Sequence, residues 1–171
     1  MRNQGYFKFL SLVLLSLQVL FVGCAHAVAT TLPTTRPATS IEYRNTEYGF
    51  SFSLPASWKG YSIITDTWQG YTFNGQRQSD VNVEQGPMIS IRHPQWTSEY
   101  PRQDIPIWVF TVAQWNSLQQ GNYSVSAGGI TTELGRNAKY VFALPARYNV
   151  ALPTGYEEVE TILEGNPFHT P

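Results

Sequence analysis

Histidine is the side chain that enzymes use most often for proton transfer near neutral pH, and the chain contains three. His26 lies near the amino terminus and His169 near the carboxyl terminus, so only His93 lies in the middle of the chain. It shares one face of a predicted strand with two isoleucines and directly precedes a proline, which favours a packed ring. The alternative is a hydrolase-type enzyme whose site forms around His93 together with Asp104 or Glu99.

Other patterns that indicate catalysis or metal binding are weak. The Gly-x-Ser-x-Gly turn of a nucleophilic serine is absent, because Ser124 occupies the first glycine position before Ser126. Metal sites built from side chains need cysteine, histidine or carboxylate groups that converge, whereas the acidic residues here are single and scattered. We therefore expect no catalytic residue, no metal site and no cofactor. The scattered acids are Asp66, Asp80, Glu84, Glu99 and Asp104.

One proline-bounded connection, residues 92–104, combines arginines, acids and two large aromatic side chains. Connections of this length in a compact domain often carry function, and exposed Trp and Arg dominate the binding energy of protein interfaces. We interpret it as a candidate partner-binding loop. The alternative is that its two aromatic side chains pack beneath the loop as a small core. The residues that would bind are Arg92, His93, Trp96, Tyr100 and Arg102.

Charge excludes one class of partner. Eleven Lys and Arg residues are balanced by twelve Asp and Glu residues, so the chain has no net positive field that would attract nucleic acid. The densest acidic group, Glu157, Glu158, Glu160 and Glu164, falls on a predicted helix with an apolar opposite side. We interpret these four carboxylates as the solvated face of that helix.

The amino terminus indicates export and a lipid anchor. Basic residues precede an apolar stretch that is too short to span a bilayer, which is typical of a secretory signal. The run Phe21-Val22-Gly23-Cys24 resembles a bacterial lipobox, in which a peptidase cleaves before a cysteine that receives lipid. Cys24 is the only cysteine, so it has no partner for an internal disulfide. The alternative is cleavage after Ala27, which would release a soluble secreted protein.

Three segments follow from this assignment. Residues 1–23 are predicted to be a lipoprotein signal peptide, and residues 24–40 a spacer rich in Thr, Pro and Ala that is expected to be disordered. Residues 41–171 contain no internal repeat and are predicted to form a single globular domain.

The strands of the domain determine where its loops lie. Phe50 to Leu54 alternates apolar and small polar residues, which predicts a strand with both phenylalanines and the leucine on a buried face. Ile105 to Phe110 is apolar throughout, which predicts a central strand that is covered on both sides. A polar loop is predicted at residues 75–80. Further strands are predicted at residues 41–44, 61–67, 71–74, 81–84, 88–93, 123–126 and 139–144.

Two helices have recognisable starts. Thr111-x-x-Gln114 and Thr154-x-x-Glu157 both fit the capping box, in which side chains bond the free amides of the first helical turn. The first helix is predicted to run to Gln120 and the second from about residue 155 to 164. The second is expected to turn Tyr156, Val159, Ile162 and Leu163 inward. Together the elements predict an α+β domain with a mostly antiparallel sheet and flanking helices.

The run from Tyr43 to Trp58, and the terminal helix followed by Asn166-Pro167-Phe168, resemble the opening and the close of PsbP-like domains. The resemblance implies an α/β/α sandwich with a curved antiparallel sheet. It also implies a family that includes photosystem subunits, nuclear-transport factors and bacterial lipoproteins, whose best-known members bind or assemble other proteins. We accordingly expect a non-catalytic, lipid-anchored module of the cell envelope that binds an envelope protein or a small ligand.

Overall fold

The computed structural model describes residues 40–74, 77–125 and 131–171. The predicted signal peptide, Cys24 and the predicted spacer up to residue 39 lie outside these ranges, as does Ser126. The described chain forms eight strands, two α-helices and one turn of 3-10 helix, Ala56–Trp58. The strands are β1 Ser40–Asn45, β2 Phe50–Pro55, β3 Ser62–Asn74, β4 Arg77–Arg92, β5 Ile105–Thr111, β6 Thr132–Arg136, β7 Tyr140–Leu144 and β8 Phe168–His169, and the helices are α1 Val112–Gln119 and α2 Tyr156–Glu164.

Two antiparallel sheets confirm the predicted α+β class. The smaller sheet has the order β1-β2-β8 and the larger has the order β3-β4-β5-β7-β6. The alternation predicted for β2 is confirmed, because Phe50, Phe52 and Leu54 are buried and the serines between them are half-exposed. Sequence patterns did not indicate that the strands would divide into two sheets.

Strand β5 separates two cores, as predicted for a central strand. Ile105, Ile107 and Val109 face a core shared with the smaller sheet and with Val159 of α2. Trp108 and Phe110 face the opposite way, into an aromatic core closed by α1. Because side chains alternate along a strand, the larger sheet has the small sheet and α2 on one face and α1 on the other.

Several predicted boundaries are wrong. The polar loop at residues 75–80 is shorter than predicted, because residues 77–80 belong to β4 and the short strands on either side merge into the long β3–β4 hairpin. Of the predicted strand at residues 123–126, the described residues 123–125 contribute one bridge, in which Ser124 and Tyr71 exchange backbone hydrogen bonds of 2.8 Å. No strand was predicted after α2, but Phe168 stacks on Phe50 with ring centroids 5.0 Å apart and forms β8.

One capping box is confirmed and the other is wrong. The hydroxyl of Thr111 accepts a 3.1 Å hydrogen bond from the amide of Gln114, whose side chain in turn accepts from the Thr111 amide. The second helix instead begins after Gly155, which has a left-handed φ of 83° and makes no side-chain cap. The Thr154 backbone is used elsewhere, since its carbonyl accepts from the Gln103 amide at 2.8 Å.

The buried face of α2 is close to the prediction. Val159 is fully buried, and Ile162 and Leu163 pack against the same core. Tyr156 differs from the prediction, because it belongs to neither core and its hydroxyl donates to the carboxylate of Glu157.

Candidate functional site

An ion pair between side chains joins the two ends of the candidate loop, where it leaves β4 and enters β5. Arg92 donates to both carboxylate oxygens of Asp104, and its closest contact is 2.8 Å. The same guanidinium lies over the ring of Trp96, 3.9 Å from the ring centroid. Both ion-pair partners are largely shielded from solvent, so Arg92 and Trp96 close the loop and hold its two ends together.

His93 is buried beneath this loop. Its ring meets the ring of Trp58 edge-on at 5.0 Å, and its Nδ1 accepts a 3.1 Å hydrogen bond from the Gln95 amide. Burial lowers the pKa of His93, and the positive charge of Arg102 lowers it further. Within the described part of the chain neither Asp104 nor Glu99 bonds to the imidazole, so the carboxylates that an enzyme would need do not meet this ring.

Beneath the loop Arg102 reaches α2. Its guanidinium donates to Glu158 and to the side-chain oxygen of Gln95, both at 3.3 Å. The other oxygen of Glu158 accepts from the hydroxyl of Ser57 at 2.8 Å and from the indole of Trp58 at 3.2 Å. One carboxylate therefore joins the loop, the 3-10 turn and α2.

The solvated-face interpretation of the α2 acids is thus wrong for Glu158. Its side chain is only 33% exposed and is bonded by three donors. Sequence reasoning missed it because the partners Ser57 and Trp58 lie about a hundred residues away, where no helical periodicity could reveal them. The same contact explains Gly155, because a Cβ there would lie 3.0 Å from Nη2 of Arg102.

Tyr100 points away from this network. It is 75% exposed. It lies on a turn in which the Tyr100 amide donates to the Thr97 hydroxyl and the Thr97 amide donates to the Tyr100 carbonyl. The alternative of a small core beneath the loop is therefore wrong for Tyr100, and the half-buried Trp96 contacts the Arg92 guanidinium and belongs to neither core. Tyr100 lines a depression of about 510 Å³ together with Pro101, Leu152 and Pro153.

The connection between β7 and α2 forms the other side of that depression. Val150 is 70% exposed and Leu152 is 60% exposed, although both are large apolar residues. Leu152 and Arg147 have left-handed backbones, with φ of 45° and 58°. Such a conformation costs a residue other than glycine about 1–3 kcal/mol and is maintained only where neighbouring contacts enforce it. We call Tyr100, Pro101, Leu152 and Pro153 the apolar rim.

Hydrogen bonds hold the rim in this conformation. The Leu152 amide donates to the Asn149 carbonyl at 2.8 Å, and the Val150 amide donates to Arg147 at 3.1 Å. A parallel bridge between Arg102 and Thr154 ties this connection to the candidate loop. These bonds fix the backbone that carries the apolar rim.

The described ranges offer no group of three His, Cys, Asp or Glu side chains that could hold a metal ion. Within the same ranges no helix has the length and hydropathy needed to cross a bilayer. No known family model, curated protein or solved structure matches the chain. The PsbP-like resemblance stays a prediction.

Proposed function

We propose that the chain is an exported, lipid-anchored module of the bacterial cell envelope that has no chemistry of its own and binds another envelope protein through the apolar rim. The observation that carries this proposal is the exposure of Tyr100 and Leu152 on opposite sides of one depression. The anchor is the lipid expected on Cys24, which the sequence alone supports.

Exposed apolar residues are informative only when they cluster. In the described chain five large apolar residues are exposed, and two of them, Tyr100 and Leu152, line the same depression. Tyrosine is enriched among the residues that dominate interface energies, because it buries a large rigid ring at a small cost in entropy. A protein partner with an apolar protrusion fits such a surface better than a charged ligand does.

The polar base supports this interpretation. Arg102 and Glu158 form an ion pair with each other, so these two charges are already paired within the domain. A partner that covers the apolar rim would then remove apolar surface from water without breaking this ion pair, which favours an interface.

The experiment places a photo-crosslinking amino acid at position 100 of the full-length chain in its native membrane. We expect one envelope protein to be captured, and we expect Leu152→Ser to reduce the yield. The matched control carries the same probe at Ile64, an exposed apolar residue of β3 outside the rim, and should capture no such partner. Equal capture at both positions, or none at position 100, contradicts the proposal.

The anchor is tested on the same material. Cys24→Ala should move the protein from the membrane fraction to the soluble fraction, since an acyl anchor contributes about 0.8 kcal/mol per buried methylene. Mass spectrometry of the wild-type amino terminus should show an acylated cysteine. A free thiol, or a chain that begins at Val28, contradicts the anchor and leaves the rim to be judged separately.

A further inference from the structure

A closed cycle of contacts surrounds the buried His93 beneath the candidate loop. The imidazole Nδ1 accepts from the Gln95 amide at 3.1 Å, and the side-chain oxygen of Gln95 accepts from Arg102 at 3.3 Å. Arg102 donates to Glu158, also at 3.3 Å, and Glu158 accepts from the indole of Trp58 at 3.2 Å. The ring of Trp58 meets the imidazole edge-on, which closes the cycle. We call His93, Gln95, Arg102, Glu158 and Trp58 the His93 cycle.

The cycle requires a neutral imidazole. Because Nδ1 accepts a hydrogen bond from a backbone amide, the single proton of the neutral ring lies on Nε2. A second proton on Nδ1 would place an N–H donor against the N–H of Gln95, so this hydrogen bond would be lost. His93 is only 4% exposed, so water cannot readily solvate the new charge. Protonation therefore favours a conformation in which the ring leaves its buried position.

The charges around His93 do not compensate for this cost. Arg102, on the loop, opposes protonation, whereas Glu158, on α2, favours it. Glu158 already accepts from three donors, so an imidazolium could bind it only by displacing one of them. The 3-10 turn, Ala-Ser-Trp, contributes no charge, and Arg92 and Asp104 at the loop ends pair with each other at 2.8 Å. Protonation thus breaks the cycle whether or not Glu158 changes its partner.

We propose that the His93 cycle is a pH-sensitive switch, which holds residues 95–102 of the loop closed at neutral pH and releases them when His93 is protonated. The ion pair between Arg92 and Asp104 lies outside the cycle, so the ends of the loop stay joined while its middle moves. Tyr100 and Pro101 belong to the released segment and to the apolar rim. Loss of partner binding in acid is a consequence that rests on the proposed function, whereas the switch itself does not.

The size of the effect follows from proton linkage. An exposed histidine titrates near pH 6.5, whereas the closed cycle takes up the proton only at a lower pH, because burial lowers the pKa of His93. The closed form is therefore fully favoured above about pH 6.5 and loses stability relative to the open form as the pH falls below that value. From about pH 7.5 to about pH 5.5 the ratio of open to closed molecules should rise about five- to tenfold.

Amide hydrogen exchange on the full-length chain, measured without any partner, tests the switch. The reporting amides are those of Gln95, Trp96 and Gln103, which donate to Nδ1 of His93, to the His93 carbonyl and to the Thr154 carbonyl. Their protection, relative to the intrinsic exchange rate at each pH, should fall about five- to tenfold from about pH 7.5 to about pH 5.5.

The control amides are those of Tyr71 and Ser124, which exchange backbone hydrogen bonds. They lie at the far end of β3 from Ser62, the residue that pairs with Arg92 next to the switch. We expect their protection to change less than about twofold over the same pH range. An equal fall at both sets of amides would mean that acid destabilises the whole domain, which would overturn a local switch.

Two variants separate His93 from the other titrating groups. His93→Asn keeps a side-chain oxygen that can accept from the amide two residues further on, as in an Asx turn, but it does not titrate. Protection of its loop amides should change less than about twofold with pH. His169→Asn, the matched control, removes an exposed histidine of β8 and should keep the change of about five- to tenfold.

Nitrogen NMR of the wild-type imidazoles gives a readout that needs no variant. We expect His93 to carry its proton on Nε2 at neutral pH and to titrate with the same midpoint as the amide signals of Gln95 and Trp96. A proton on Nδ1 at neutral pH would overturn the proposal. Protection of the loop amides that does not depend on pH, or a full pH response in His93→Asn, would overturn it as well.

Discussion

The carboxylate of Glu158, beneath the candidate loop, should contribute strongly to the free energy of unfolding. Glu158→Ala tests this. The substitution removes the only hydrogen-bond acceptor of the Trp58 indole among the residues that the structure describes, and Trp58 is 1% exposed. A buried donor left without a partner costs about 1–3 kcal/mol. The lost ion pair with Arg102 adds only about 0.5–1 kcal/mol, because both side chains are partly exposed and solvent screens them. We expect a total loss of about 1.5–4 kcal/mol.

Glu158→Gln separates these two contributions. An amide oxygen can still accept from Trp58 and Ser57, so the glutamine variant should lose only the charged contact, about 1 kcal/mol or less. The free energy of unfolding is measured by urea denaturation, followed by tryptophan fluorescence. Glu164→Ala, at an exposed position on the same helix, is the matched control and should change stability by less than about 0.5 kcal/mol. Equal losses for the alanine and glutamine variants would refute the reasoning.

Two further predictions concern stability. Because the pKa of His93 is lowered from 6.5 in the fold, the unfolded chain binds a proton at a higher pH than the folded chain does, so stability should fall as the pH drops below about 6.5. In His93→Gln the melting temperature should depend less on pH in this range. An unchanged pH dependence would contradict the burial of a neutral ring. Gly86→Ala should cost about 1–3 kcal/mol in urea denaturation, because its Cβ would lie 2.5 Å from the ring of Trp68. That ring cannot move easily, since its indole donates to the Val109 carbonyl at 2.9 Å. If Gly86→Ala leaves the free energy of unfolding unchanged, the ring can move and the reasoning is wrong.

The elements that sequence patterns predict well are those specified by near neighbours. Strand β2 alternates over five residues and forms as predicted, and β5 is covered on both faces as its continuous apolar run requires. Helix α1 begins at Thr111 because both halves of its capping box lie within four residues. In each case the signal and the structure that it specifies belong to the same short segment.

The elements that were missed depend on distant contacts. Strand β8 has two residues and no pattern of its own, and it forms because Phe168 packs on Phe50 and Phe142 from other elements. Strand β6 contains only one large apolar residue, Leu134, and is defined by its pairing with β7. The second capping box failed for the same reason, since the bridge between Arg102 and Thr154 outweighs a local cap.

The candidate site follows the same division. Composition identified residues 92–104 as unusual, but it could not tell which side chains build the loop and which face solvent. Arg92 and Arg102 have the same charge, and the structure pairs both with acids inside the domain, so neither is a free anchor for a partner. Tyr100 stays outside because a short turn and the left-handed backbone at Leu152 hold both side chains away from the core. Keeping apolar residues exposed in a strained conformation costs free energy in the isolated domain, and a surface that binds a partner gives a physical reason for that cost to be retained.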